Sequence, residues 1–125
     1  MKYLCLVYGE ERALQSMDDR HCVAFDEEVR KSGHCVASEA LQPVATATTV
    51  RVRNGKVQVT DGPFAETKEI LAGFYMIEAR DLNEAIQIAA RIPPAQVGSV
   101  EVRPIRPIRE TVRALQEEGA THGVR

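Results

Sequence analysis

A nine-residue segment near the middle of the chain concentrates residue types that could carry out acid–base chemistry. Residues 61–69 read Asp-Gly-Pro-Phe-Ala-Glu-Thr-Lys-Glu, so three carboxylates and one ammonium group surround a stiff Gly-Pro turn. In such a loop Lys68 can stabilise one carboxylate while a second carboxylate moves a proton. Asp61, Glu66 and Lys68 are therefore candidate catalytic residues. We call residues 61–69 the Gly-Pro loop.

The same residues also have a purely structural interpretation. The Asp61 carboxylate can close an Asx-turn ahead of Phe64, which is a common role for an aspartate at a bend. Glu66, Lys68 and Glu69 can form a solvated charge cluster, because structural ion pairs group in the same way. The sequence leaves both interpretations open.

Further candidates lie outside this loop. His21 falls near the start of a predicted helix, where it is either a surface residue or a proton shuttle that titrates near neutral pH. Tyr75 is either a core-edge residue whose hydroxyl reaches water or a ligand contact. Arg103 can bind an anionic group or pair with Glu101 or Glu78. The ligand-binding candidates are Tyr75, Arg103, Glu39 and Glu69.

No cofactor or metal is predicted. The three cysteines, Cys5, Cys22 and Cys35, are odd in number and are expected to be reduced thiols in the core. The dipeptides at residues 21–22 and 34–35 are both His-Cys, but neighbours in a strand point to opposite faces, which disfavours a zinc site. The chain has no Gly-rich phosphate loop and no motif of a Ser or Cys nucleophile.

Composition places the chain among ordinary globular domains. It has 125 residues, 44% hydrophobic and 27% charged, with a formal net charge of -2. That charge argues against a general nucleic-acid binder, and no apolar run approaches the roughly 20 residues that span a bilayer. We therefore expect a single domain in the cytoplasm that has neither nucleic acid nor a membrane as partner.

The first half of the chain predicts a strand, a helix and a second strand. Residues 2–8 are apolar on both alternating sets, as in a central strand. Ser16 is predicted to begin the helix with Asp19 in capping-box position, and Gly33 ends it. The apolar stripe of this helix is Cys22, Phe25 and Val29. Its exposed side has two acid-before-base pairs, Asp26 with Arg30 and Glu27 with Lys31. A strand follows over residues 34–41.

A hairpin and a second strand–helix–strand unit come next. Asn54-Gly55 joins the alternating strands 48–53 and 56–60, which places Val52 opposite Val57 and Val50 opposite Val59. A strand is predicted at 73–79 and another at 97–103. Between them Asp81 caps a helix with Glu84 in its capping box, and its apolar stripe is Leu82, Ala85, Ile86, Ala89 and Ile92.

The order of elements predicts an α+β fold, a βαβ–βαβ plan with an inserted β-hairpin. The helices lie on one face of a largely antiparallel sheet. A short extra helix is expected from Ile108 to Leu115, ending before Gly119, with a frayed tail at 121–125. The first domain therefore spans residues 1–105, and residues 106–125 form a C-terminal helical extension and tail. Because strand one is apolar on both faces, the uncovered sheet face predicts a homodimer.

These segments together resemble the YCII-related family, and in particular its DGPF branch. The Gly-Pro loop is the specific match; the weaker ones are Glu39-Ala40-Leu41-Gln42-Pro43, Gly73-Phe74-Tyr75, and the segments 48–51, 81–85 and 100–104. The resemblance implies a dimeric, α/β-barrel-like assembly of ferredoxin-like domains. It implies either a cofactor-independent protein that binds or converts a small polar metabolite, or an interaction module associated with an extracytoplasmic-type sigma factor.

The wider family also implies a His and Asp pair with the His on the first helix. Counting back from Gly33 places Cys22 at that position, with His21 beside it. We therefore expect the small polar site at the Gly-Pro loop and the dimer cleft, with Asp61, Glu66, Lys68 and His21 as its catalytic candidates.

Overall fold

The chain folds into one four-stranded sheet, one separate hairpin and four α-helices in the part that the structure describes. The structure is a computed structural model that describes residues 1–122, with side chains through residue 119. The elements are β1 (Lys2–Gly9), α1 (Glu11–Gln15), α2 (Asp19–Lys31), β2 (Cys35–Ala40), β3 (Thr48–Arg53), β4 (Lys56–Asp61), β5 (Ile70–Glu78), α3 (Leu82–Ala89), β6 (Ser99–Pro104) and α4 (Ile108–His122).

The sheet has the order β2-β5-β1-β6, and its neighbouring strands pair antiparallel. The strand that is apolar on both faces, β1, therefore lies in the interior of the sheet, where both of its edges are paired. This topology confirms the predicted α+β arrangement with an inserted hairpin. Within the described residues, no helix is long and apolar enough to cross a membrane.

The core lies on one face of the sheet. Side chains of β1 alternate between buried and half-buried, and the buried set packs with the buried residues of α2 and α3. The fully or nearly fully buried core residues are Tyr3, Cys5, Val7, Phe25, Val29, Ile77, Ala79, Ala85, Ile88, Ala89 and Ile92. Arg91 stacks over Phe25 and also pairs with Glu28, so it joins the end of α3 to α2.

The hairpin forms as the sequence predicts. β3 and β4 pair in the register that opposes Val50 with Val59 and Val52 with Val57. Asn54 and Gly55 both have positive φ, 53° and 74°, which is the backbone that a tight two-residue loop between twisted strands requires. The predicted cap of α3 is also present, because the Asp81 side chain accepts a hydrogen bond from the Glu84 amide.

Two predicted helix features are wrong. Asp18, and not Ser16, caps α2, and Ser16 instead donates to the Ala13 carbonyl at the end of the short helix α1, which the sequence did not predict. In α3 the predicted stripe residues Leu82 and Ile86 are about half exposed, whereas Ile88 is buried. The short α3 ends at Ala89, and its contact with the sheet runs through Ala85, Ile88 and Ala89.

Several predicted boundaries also move. β5 begins at Ile70, three residues before the prediction, and β6 begins at Ser99. α4 continues through Gly119 to His122, because a helix without tertiary packing at its end is not stopped by one glycine. It therefore includes two residues of the predicted frayed tail, while residues 123–125 of that tail lie outside the described part.

The second face of the sheet carries apolar side chains that no helix covers. Its half-buried members are Leu4, Leu6, Tyr8, Phe74 and Met76. The chain as a whole exposes 9293 Å², whereas a folded monomer of 13.8 kDa exposes roughly 6,600 Å². The single chain therefore exposes more surface than a compact monomer of its mass.

We therefore expect a homodimer whose interface buries more than about 2,000 Å² in total. Light scattering at micromolar concentration should give twice the 13.8 kDa of one chain, because the open sheet face has no cover within the protomer. Leu6→Asp should weaken the dimer, since Leu6 lies at the centre of that face, whereas Lys2→Asp at its margin should not. A monomeric mass for the parent protein would contradict this expectation.

Candidate functional site

A candidate site is a cavity between α2 and the β2 edge of the sheet. It has a volume of about 360 Å³, within the range of small-molecule sites. Its wall is largely apolar, and Asp26, Arg30 and Ser38 contact one another at its polar end. The polar lining residues are Asp19, Cys22, Asp26, Arg30, Ser38, Glu39 and Tyr75; the apolar ones are Val7, Leu14, Met17, Val23, Ala40, Ala72, Gly73, Phe74 and Pro94. We call it the α2 cavity.

Three side chains form a closed hydrogen-bond cluster at its polar end. Arg30 donates from Nε to Asp26 Oδ2 at 2.8 Å and from a terminal nitrogen to Ser38 Oγ at 2.9 Å. Ser38 in turn donates to Asp26 Oδ1. Asp26 therefore uses both oxygens and Arg30 spans its two partners, so the three groups hold one another in a fixed arrangement.

Helix geometry places two members of the cluster, and an irregularity in β2 places the third. Asp26 and Arg30 are four residues apart on α2 and so lie on one face. The register of β2 shifts between Cys35 and Ala37, so Ser38, paired with Tyr75, lies on the same side of the sheet as Cys35. In a regular strand Ser38 would point away from α2, because the side-chain period is two. The bulge turns Ser38 toward α2.

The cluster keeps Asp26 ionised. Burial raises the pKa of Asp26, but the hydrogen bonds from Ser38 and Arg30 and the charge of Arg30 outweigh it, so the pKa falls below its ordinary 3.8. The same contact with Asp26 raises the pKa of Arg30. The Asp26 side chain is only 31% exposed, so the carboxylate is a largely shielded acceptor at the polar end of the cavity.

The neighbouring tyrosine and cysteine are held neutral. Burial, helped by nearby Cys22 and Asp26, raises the pKa of Tyr75 to about 12, so its phenol is a hydrogen-bond donor at neutral pH. The Tyr75 ring meets Phe25 edge to face, with centroids 5.4 Å apart. Burial and two acidic neighbours also raise the pKa of the Cys22 thiol, which therefore lacks the thiolate character of a nucleophile. Cys5, in the core, has a pKa raised to about 11 by burial.

The structure brings together only some of the predicted site residues. Tyr75 and Glu39 line the α2 cavity. His21 is exposed on α2 and does not line the cavity. On β6, Arg103 Nε lies 3.6 Å from Glu101 Oε2. Within the described part, no three His, Cys, Asp or Glu side chains are grouped so that they could hold a metal ion.

The charged side chains of the Gly-Pro loop do not lie together. Asp61 ends β4 and is exposed, Glu66 is exposed, and Lys68 reaches away to Glu10, with 3.3 Å between Nζ and Oε1. The expected common cleft of Asp61, Glu66 and Lys68 is therefore absent from the described protomer. The turn itself is fixed by the main chain: the Gly62 amide donates to the Ala47 carbonyl, and Gly62 has φ 103°.

A second cavity, of about 530 Å³, lies beneath this loop. Glu69 lines it together with Tyr8, Pro63, Phe64 and the segment around Val44. The Val44 amide donates to Glu11, which ties that segment to α1. Phe64 is 79% exposed, so the part of the cavity wall that Phe64 forms is open to solvent in the single chain. The cavity contains none of the hydrogen-bonded charge pairs that distinguish the α2 cavity.

Sequence reasoning missed the role of the α2 cluster. Asp26 and Arg30 are recognisable as an i, i+4 pair, and the sequence places them on the exposed side of the helix. The signal that could have found them is their spacing from Cys22, because residues 22, 26 and 30 form one continuous row beside the buried row of Phe25 and Val29. Ser38 has no such signal, because the bulge that orients it is not marked in the sequence.

The described residues form a small ferredoxin-like α+β protein with a ligand-sized cavity beside α2. Residues 1–109 match the family model described as the YCII-related domain, so the chain belongs to the YCII-related family. An uncharacterised protein of Rhizobium meliloti is 35% identical over 114 residues, which cover 84% of this chain and 92% of that protein.

A solved structure is similar in fold. The 5-chloro-2-hydroxyhydroquinone dehydrochlorinase of Burkholderia phenoliruptrix, in complex with 2,5-dihydroxybenzoquinone, superimposes with a TM-score of 0.52. The match covers 85% of this chain and 94% of that one at 14% sequence identity. At this identity the likeness shows a common fold and nothing about the reaction.

The hydrogen bond from Ser38 to Asp26 should affect how the free energy of unfolding changes as the pH is lowered. Because the pKa of Asp26 is lowered in the folded state, its stabilising contribution is complete above pH 3.8 and is lost as the pH falls through the folded pKa. Ser38→Ala should raise the pKa of Asp26 and cost about 1–3 kcal/mol of unfolding free energy at neutral pH. The cost should shrink as the pH falls below 3.8 and the carboxyl group protonates.

The measurement is chemical denaturation across that pH range, together with NMR titration of the Asp26 carboxyl carbon. Ser99→Ala, at an exposed serine of β6, is the matched control and should change neither quantity. An unchanged Asp26 titration in Ser38→Ala would show that the cluster does not set its pKa.

Proposed function

We propose that the protein is a cofactor-independent binding protein or enzyme for a small polar molecule and that the α2 cavity is its site. The observation that carries the proposal is the Asp26–Arg30–Ser38 cluster at the polar end of an otherwise apolar cavity. The cluster fixes three polar groups beside the cavity, with Asp26 partly buried and Arg30 about half exposed, so these groups are both oriented and accessible. Perturbed charged groups in a cavity of ligand size are typical of functional sites.

The lining indicates the chemical class of the ligand. Apolar walls such as Leu14, Met17 and Val23 suit a compact apolar body, for example one ring. The polar end offers the Tyr75 phenol and the Arg30 guanidinium as donors and the Asp26 carboxylate as an acceptor. A hydroxylated ring with an adjacent carbonyl or hydroxyl group satisfies all three. The similar fold of the dehydrochlorinase, whose structure contains 2,5-dihydroxybenzoquinone, supports this choice of class.

Proton transfer is the chemistry that suits these residues. A carboxylate of lowered pKa is a weak base, so Asp26 can accept a proton only from a strongly acidic group, such as the vinylogous-acid hydroxyl of a hydroxyquinone. Arg30 would stabilise the anion that forms, and Tyr75 would donate a hydrogen bond to it. Nucleophilic catalysis by Ser38 is disfavoured, because its hydroxyl is bonded to a weak base, and Cys22 is neutral.

A second, more detailed proposal concerns the Gly-Pro loop. From the Asp61-Gly62-Pro63-Phe64 motif we propose that the chain belongs to the DGPF branch of the family, and that Asp61, Glu66, Lys68 and Glu69 are candidates for a second site completed by another chain. The alternative function, an interaction module associated with a sigma factor, is favoured by no contact, cavity or charge pattern in the described residues, and we do not propose it.

Binding of a panel of hydroxylated aromatic acids, catechols and hydroxyquinones tests the proposal. Any ligand found by thermal shift should bind Asp26→Asn at least about tenfold more weakly, because the variant loses the charged acceptor. Glu27→Gln makes the same change one residue away, at an exposed position outside the cavity, and should bind like the parent. Isothermal titration gives the dissociation constants.

Asp61→Asn separates the two candidate sites in the same assay. If the α2 cavity binds the ligand, Asp61→Asn binds like the parent and Asp26→Asn does not. The opposite pattern would place the site at the Gly-Pro loop. A panel that binds neither the parent nor any variant would contradict the proposed ligand class.

A further inference from the structure

The short helix α1 contributes to the wall of the α2 cavity although it is not packed into the core. Leu14 of this helix and Met17, just beyond its end, line the cavity. Every residue of α1 is half-buried or exposed. A helix of five residues is also too short to be stable by itself. Contacts with other segments must therefore hold this part of the wall in place.

Two contacts attach α1 to neighbouring segments. The Glu11 carboxylate accepts a hydrogen bond from the Val44 amide, with 2.9 Å between Oε2 and the nitrogen. Leu14 packs against the backbone of Gly9, where an added Cβ would lie 2.9 Å from Leu14 Cδ2. Glu11 is the first residue of the helix and Leu14 lies near its end, so the two contacts together fix the position of the helix.

A third contact is weaker. Glu10, the residue before α1, pairs with Lys68, but both side chains are more than half exposed, and a surface ion pair of this kind contributes little. The contact of Glu11 with the Val44 amide is partly buried and joins a carboxylate to a backbone N–H, which makes a stronger hydrogen bond than one between neutral groups. Of the two carboxylates, Glu11 is therefore the one on which the position of α1 mainly depends.

The segment that contacts α1 is itself held by the Gly-Pro loop. Its short 3-10 turn, Val44–Thr46, is followed by Ala47, whose carbonyl accepts a hydrogen bond from the Gly62 amide at 2.7 Å. The Thr49 hydroxyl donates to the Gly62 carbonyl at 2.8 Å. Main-chain contacts of the loop therefore support the segment to which Glu11 is bonded.

We propose that Glu11 is a positioning residue of the α2 cavity, and that by holding α1 it sets how large a ligand the cavity accepts. The inference rests on the proposed function of this cavity and adds the part of the chain that selects the ligand by size. Without the Glu11 contact, α1 moves away from α2 and takes Leu14 and Met17 with it. The apolar part of the cavity then widens, and a bulkier ring fits.

The Cys22 thiol reports the position of this wall without any ligand. Of the two partly buried thiols, Cys22 lines the cavity and Cys35 does not. Alkylation by N-ethylmaleimide, measured by mass spectrometry of tryptic peptides, should be at least about fivefold faster at Cys22 in Glu11→Ala, because the lost hydrogen bond no longer opposes displacement of α1. Glu11→Gln keeps an acceptor oxygen for the Val44 amide and should restore most of the protection. The rate at Cys35 should stay the same in both variants.

Two ligands of different size test the selection itself. The probes are catechol and the naphthalenediol that carries the same pair of adjacent hydroxyl groups, titrated by calorimetry. Glu11→Ala should shift the ratio of their dissociation constants toward the larger probe by at least about threefold. Leu14→Ala shortens the wall directly and should shift the ratio in the same direction. Glu10→Ala, which removes a carboxylate one residue away, is the matched control and should change neither the ratio nor the alkylation rate.

Three results would overturn the proposal. The first is an alkylation rate of Cys22 in Glu11→Ala that equals the rate in the parent or in Glu10→Ala. The second is an equal acceleration at Cys35, which would assign Glu11 to general stability. The third is an unchanged ratio of dissociation constants in Glu11→Ala, which would show that the wall does not select the ligand. Faster alkylation of Cys22 alone, with neither probe bound by the parent, would support the role of Glu11 in holding the wall and contradict the proposed ligand class.

Discussion

The packing of α2 on the sheet through Phe25 and Val29 determines where the polar groups that α2 contributes to the candidate site lie. Once these two residues are buried, helical periodicity requires that Cys22, Asp26 and Arg30 form the adjacent row, which faces the edge strand β2. The Phe25 ring also contacts Tyr75 and thereby fixes the direction of its phenol. The charged cluster is thus placed by apolar burial, and its own hydrogen bonds adjust the final geometry.

The bulge in β2 shows how a local defect creates a polar site. It interrupts the regular pairing with β5, which weakens the ladder at an edge of the sheet. In exchange, the Ser38 hydroxyl reaches a carboxylate that burial would otherwise destabilise. Because Asp26 accepts hydrogen bonds from both partners, it remains charged in a half-buried position, and the apolar part of the cavity remains free for a ligand.

Periodicity and turn chemistry were sufficient to predict most of the fold. The alternation of residues 2–8, the Asn54-Gly55 turn and the Asp81 cap are local signals, and the structure confirms each of them. Among the predicted site residues, Tyr75 and Glu39 line the α2 cavity. Ser38 depends on a bulge that no glycine or proline marks. The expected common cleft of Asp61, Glu66 and Lys68 is absent from the described protomer, because Lys68 is long and flexible and pairs with Glu10, which is distant in sequence.

The hairpin and the cavity are connected through β2. Within the described sheet this strand pairs only with β5, and it continues directly into the segment that leads to the hairpin. The cluster requires Ser38 to reach Asp26 and Arg30 at once, so its geometry depends on the position of this edge strand as well as on α2. The lowered pKa of Asp26 therefore rests on a strand that is paired on one side only, and a movement of β2 away from α2 would raise it.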